Sequence, residues 1–204
     1  MKKFLKYFYL LIFFNLIFLT NGFSLASQAN LDENPPFSYV FVNPVEIKNF
    51  HKVDENFYRG GQPNDFDIET LSAMGIKTII NLRNPYIFNN GILKQKTLAK
   101  HLGMQYYNIP LTPRTPPNAE QIKIFFSIID NPKNLPVFVH CAQGRDRTGI
   151  MTALYRVRNY GWNYDQAYFE MKQRGYHERL FPQHKDFLSS FVNIFRNSQL
   201  TLGY

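Results

Sequence analysis

The chain has 204 residues, 45% hydrophobic and 19% charged: enough apolar material for one domain with a packed core, and too much for a disordered chain. Its formal charge of +8 suits an anionic partner, yet no lysine or arginine block is dense enough to mark a nucleic-acid surface, so nucleic-acid binding is not expected. With one cysteine, an internal disulfide is excluded.

Met1-Lys2-Lys3 and Lys6 precede an apolar run from Phe8 to Leu19, broken only by Asn15. Ser24-Leu25-Ala26 and Ser27-Gln28-Ala29 offer the small residues that a signal peptidase reads. The run is shorter than the ~20 residues of a membrane-spanning helix. Residues 1–26 therefore read as a signal peptide of an exported protein, periplasmic or secreted, with an uncleaved anchor as the alternative. Lys2, Lys3 and Lys6 carry three of the eight net charges, which leaves +5 for the remainder. Residues 27–44, with Asn34-Pro35-Pro36, read as a linker, and residues 45–204 as the folded domain.

Asn49 to Asp54 and Asn56 to Arg59 look like two short strands around a turn, ending in Gly60-Gly61. Asn64 is placed to cap a helix with Asp65 and Asp67 in its first turn and Gly75 just past its end. Lys77 to Arg83 is a strand, β-branched at its centre, and a helix is expected from about Ile92 to His101, stopped at Gly103. Met104 to Ile109 forms the next strand. Pro110 to Pro117, with four prolines, is a loop. Asn118 caps a helix to about Asp130 whose apolar face holds Ile122, Phe125, Phe126 and Ile129. A strand from Pro136 to His140 follows, then helices over Arg147–Asn159, Asp165–Gln173 and Pro182–Arg196. This alternation predicts an α/β fold with a mainly parallel central sheet flanked by helices. In such sheets ligands bind at the carboxyl ends of strands, where Arg83, the Pro110 loop and Cys141 all fall.

The densest chemistry lies in His140-Cys141-Ala142-Gln143-Gly144-Arg145-Asp146-Arg147-Thr148-Gly149, between that last strand and the following helix. Gly144 permits a tight curl in which backbone N–H groups of Ala142, Gln143 and Gly144 point inward, and the helix start aims its positive end at the same spot. Arg147 offers a planar fork for two phosphate oxygens. In that field a thiol ionises below its free pKa of ~8.5, and a thiolate beside a phosphoester is a nucleophile aimed at phosphorus. A free thiol retained in an exported protein risks oxidation, which favours use over packing.

At these residues the sequence resembles the cysteine-dependent phosphatases of the protein-tyrosine and dual-specificity superfamily, whose His-Cys-x5-Arg-(Ser/Thr)-Gly signature it matches at every fixed position. The resemblance implies the cysteine-phosphatase fold, with Cys141 as nucleophile, Arg147 as phosphate clamp, Thr148 assisting the departing sulfur and His140 supporting the loop. Asn56-Phe57-Tyr58-Arg59-Gly60-Gly61-Gln62-Pro63 and Ile79-Ile80-Asn81-Leu82-Arg83 are similar to the compact bacterial and plant-fungal atypical dual-specificity enzymes. Arg83 is placed to line the pocket from its strand end, or to serve as an ordinary salt-bridged arginine.

Most such enzymes carry a general-acid aspartate on a mobile loop before the cysteine, but residues 68–129 contain none. Glu120 lies just past the Pro110 loop, at a position suited to the helix dipole. Asp146 is the stronger candidate: the Asp-Arg-Thr ending resembles the myotubularin lipid phosphatases and certain secreted bacterial phosphatases, in which this aspartate is the proposed acid. The alternative is that Asp146 caps the helix. Arg145 is placed to grip a second phosphate, or stands solvated. The expected activity is phosphomonoester hydrolysis through a cysteinyl phosphate, on a phosphoprotein or, in the rival reading, on a phosphoinositide or inositol phosphate at a membrane surface. A catalytically weak phosphate-binding module and a rhodanese-type sulfur transferase are further alternatives. The protein is expected to be a monomer without a cofactor, and His51, His101, His140, His177 and His184 show no metal-ligand spacing.

Overall fold

A computed structural model describes residues 45–85 and 91–201, with side chains to residue 198. The expected signal peptide and linker lie outside these residues. Five strands form one sheet: β1 (His51–Lys52), β2 (Phe57–Gly60), β3 (Thr78–Asn81), β4 (Gln105–Asn108) and β5 (Val137–His140). Their order is β1-β2-β5-β3-β4, with β1 antiparallel to β2 and every other pair parallel. Register aligns Gly60, Asn81 and His140, and pairs Asn81 with Asn108, so the four parallel strands end at one edge. β5 lies at the centre, and Cys141 follows it directly.

Parallel strands covered on both faces read as continuous apolar runs, and all four residues of β5 are buried. Alternation along each strand divides the core. Ile80, Val137 and Val139 pack on one face with Phe57, Phe125, Ile150 and Leu154. Ile79 and Phe138 pack on the other with Ile68, Leu71, Ala99 and Met104. The second face is covered by α1 (Asp65–Ala73) and α2 (Ile92–His101). The first is covered by α3 (Ala119–Ile129), α4 (Asp146–Tyr160), α5 (Tyr164–Gln173) and α6 (Gln183–Thr201).

Three helices begin with reciprocal caps. The Asn64, Asn118 and Asn163 side chains accept from the backbone of Asp67, Gln121 and Gln166, whose side chains accept from the cap backbone in return. α4 ends at Gly161, whose φ of +65° closes the helix in the left-handed region. The first hairpin is shorter than its sequence pattern. Asn49, at φ +55°, starts β1 late, and the Val53 and Asp54 amides both turn onto the Phe57 carbonyl instead of extending the ladder. α6 runs past Arg196 to Thr201, because Phe187, Phe191 and Phe195 keep one face against the core.

Phe125 is fully buried, edge-on to Phe57. Phe125→Ala should therefore lower unfolding free energy by about 3–5 kcal/mol in a urea titration. Asn163→Ala, which removes one cap, should lower it by about 1 kcal/mol.

Candidate active site

Strand β5 delivers Cys141 to the floor of a cavity of about 250 Å³, 3% exposed. Gln143, Asp146, Arg147 and His177 also line it, with Pro113, Leu180 and Phe181 forming an apolar part of the wall. A larger groove of about 600 Å³ along Val157, Trp162 and Phe195 has no cysteine, histidine or carboxylate in its lining, and one of about 690 Å³ along Lys94, Thr97 and His101 has no cysteine or carboxylate; the thiol opens into the smaller cavity.

The loop from Cys141 to Arg145 is held from outside through its carbonyls. Ala142 O accepts from Gln62 N at 3.1 Å. Gly144 O accepts from Arg59 Nη2 and Asn49 Nδ2, each at 2.7 Å. Among the described residues, no backbone N–H from Ala142 to Arg147 donates to a carbonyl oxygen. In a trans planar peptide the N–H points opposite the carbonyl, so tying Ala142 O outward turns the Gln143 amide inward, on the side where it helps to lower the Cys141 thiol. Gly144 sits at φ +68°, and a Cβ there would fall 2.5 Å from the Gly60 carbonyl carbon, so only glycine fits.

Burial pushes the Cys141 thiol up, but the Arg147 guanidinium, the Thr148 hydroxyl and the Thr148 and Gln143 amides outweigh burial and hold it below the ordinary thiol value. Arg147 is itself buried, and among the described residues its side chain makes one long hydrogen bond, Nη1 to the Leu111 carbonyl at 3.4 Å. The Thr148 hydroxyl lies between the sulfur and the Gly60 carbonyl, 3.4 Å away. His140 stacks on Phe138, and its Nδ1 lies 3.2 Å from the Cys141 carbonyl. Complete burial, with repulsion from Arg83 and Arg147, pushes its pKa down to about 3 against the opposing pull of that bond. It is therefore a neutral support and carries no proton for the reaction.

Asp146 does not cap α4. Arg145 occupies the cap position, without a side-chain cap bond, and Asp146 is the first helical residue. Its carboxylate accepts from the His177 amide at 2.8 Å and lies 3.0 Å from His177 Nδ1. His177 carries no signal in the sequence, because it reaches the cavity from the turn after α5, 31 residues away. Arg145 leaves the cavity: its side chain packs over Gly175, where a Cβ would meet it at 3.3 Å, and Nη1 lies 3.1 Å from His177 Nε2. Arg83 is not among the residues lining the cavity; its Nη1 donates to Gln62 Oε1 at 2.7 Å. Burial and the nearby Arg147 charge lower its pKa. Glu120 lies in the exposed first turn of α3, off the cavity.

The alkylation rate of Cys141 by iodoacetamide should rise with pH through a midpoint below the ~8.5 of a free thiol, and Thr148→Val should move that midpoint upward. Gly144→Ala should abolish tungstate binding, because the loop cannot close around the added methyl group.

Residues 37–186 match the family model described as DSP-PTPase phosphatase fused to NAD+ kinase. A chloroplastic NAD kinase 2 of rice is 32% identical over 101 residues, but the match spans 49% of this chain and only 10% of that protein. The dual specificity protein phosphatase TpbA of Pseudomonas aeruginosa is 23% identical over 159 residues, 78% of this chain and 68% of that one. Among solved structures, the catalytic core of the PP-IP phosphatase Siw14 from S. cerevisiae superposes with a TM-score of 0.61 at 20% identity, covering 76% of this chain and 93% of that one. TpbA bound to pTyr gives 0.55 at 19%, covering 71% and 90%. At such identities the two structures speak to the fold alone, which is the cysteine-phosphatase fold. By the extent of the family match, the chain belongs to the DSP-PTPase family of cysteine-dependent phosphatases.

Proposed function

We propose that the protein is an exported phosphomonoesterase acting on phosphotyrosine-type groups of proteins. The observation that carries the reading is the floor of the cavity, where Cys141, the Arg147 fork and inward-facing amides converge. The Cys141 thiolate attacks phosphorus in line with the leaving oxygen. Arg147 and the loop amides take up the charge developing on the equatorial oxygens. Asp146, positioned by His177, gives its proton to the leaving oxygen. It then takes a proton from the water that attacks the cysteinyl phosphate, and the thiolate departs towards the Thr148 hydroxyl.

The apolar wall of Pro113, Leu180 and Phe181 supports an aryl leaving group. TpbA, solved with pTyr, supports the same class. The rival reading, an inositol phosphate, draws on the likeness to Siw14 and requires Arg145 to leave His177 and turn inward. Export is supported by the basic and apolar start of the chain, and signal-peptide processing with fractionation tests it.

A panel of phosphopeptides, phosphoinositides and inositol phosphates checks the substrate class, with phosphotyrosine peptides expected to be turned over fastest. Cys141→Ser should lower turnover of all of them by at least about 10³-fold. Asp146→Asn should slow alkyl phosphates by about 10²–10⁴-fold and p-nitrophenyl phosphate far less, because a good leaving group needs no proton. Equal loss on both would remove Asp146 from the acid role.

A further inference from the structure

Arg59 is the largest side chain that is fully buried, 1% exposed, and it lies under the phosphate-binding loop. Its Nη2 donates to Gly144 O, while Nε and Nη1 are buried without a hydrogen-bond partner. Among the described residues no carboxylate is within ion-pair distance of it. The nearby Glu170 is committed to Arg156, at 3.1 Å and 3.3 Å. Burial lowers the Arg59 pKa to about 10, so the group is still charged at neutral pH. An unpaired buried cation is costly, so something must offset it.

The second donor on Gly144 O is equally out of the ordinary. Asn49 has the only positive φ of a non-glycine residue among the described residues, +55°, in the left-handed region that favours glycine. From there its Nδ2 bridges Gly144 O and, at 2.9 Å, Arg174 O. Two residues from the first hairpin thus converge on the one peptide unit that joins Gly144 to Arg145. That peptide is planar and trans, so holding its oxygen outward points the Arg145 N–H into the loop, where an anion would sit.

We propose that Arg59, with Asn49, is a positioning residue of the phosphate site, pinning the Gly144 carbonyl outward so that the Arg145 amide faces the bound phosphate. The cation polarises the peptide, and the peptide passes that field to the anion on its far side. The substrate phosphate then offsets the buried charge of Arg59, which never touches it. This assignment rests on the phosphatase reading above.

Three variants test it: Asn49→Gly, which suits the positive φ and removes only the amide, Arg59→Met and Arg59→Lys. Hydrolysis of p-nitrophenyl phosphate, inhibition by tungstate and thermal unfolding are measured for each. Asn49→Gly should raise the tungstate Ki and lower kcat/KM about tenfold, and Arg59→Met about a hundredfold, with Arg59→Lys recovering most of that loss. A purely structural role would lower Tm and leave tungstate Ki unchanged. If Asn49→Gly and Arg59→Met both keep Ki and kcat/KM within about twofold while Tm falls, the assignment is overturned; if Arg59→Met does not fold, unchanged Ki and kcat/KM in Asn49→Gly alone overturns it. A wild-type protein that neither hydrolyses the ester nor binds tungstate would overturn the phosphatase reading itself, a separate result.

Discussion

The site depends on the direction in which a few carbonyls point. A turn of five residues between β5 and α4 serves an anion only if its N–H groups converge, and peptide planarity makes that the same requirement as turning its C=O groups outward. Each outward carbonyl therefore needs a donor behind the loop. Gln62 N supplies one for Ala142, and Arg59 and Asn49 supply two for Gly144. These donors come from the segment around β1 and β2, which explains why β2 pairs directly beside β5, with Gly60 in register with His140. The sheet order is thus part of the site.

Much of the fold was legible because local signals agreed. Asn64 and Asn118 announce helix starts by composition, Gly75 and Gly103 announce stops, and the β-branched runs of β3 and β5 declare strands buried on both faces. That Cys141 and Arg147 share one cavity was legible for a similar reason, since they lie six residues apart in one continuous segment. What sequence could not show arrives from a distance. His177 meets Asp146 across 31 residues, and Asn49 meets Gly144 across 95. Nor does sequence show which way a surface arginine turns. Arg145 leaves the cavity because Gly175, at φ +81°, presents bare backbone for it to lie on and His177 lies at its tip.

The proline-rich loop illustrates a division of labour. Lacking aspartate, it contributes the Leu111 carbonyl to Arg147 and Pro113 to the apolar wall. The carboxylate nearest the chemistry is instead on the first turn of α4, where the helix backbone and His177 fix it in place. A proton donor on a mobile loop must close over the substrate before it acts. If Asp146 is the donor, as proposed, it stands on a helix and is already in place without a closing step.

That rigidity carries an electrostatic cost. Arg59, Arg83 and Arg147 crowd the loop, Arg174 adds a fourth positive charge near it, and Glu170, whose charge acts on Arg59, is occupied by Arg156. Burial and mutual repulsion lower the pKa values of Arg59 and Arg83. An anion held in the cavity would face these charges and relieve their repulsion, so under the proposed function the same charges that are costly in the empty protein would favour its binding. The Cys141 thiolate relieves part of the strain before any substrate arrives, since its negative charge opposes the fall in both pKa values. The loop's cations thus divide the work: the Arg147 guanidinium chiefly holds the thiol down, and the resulting thiolate in turn eases Arg59 and Arg83.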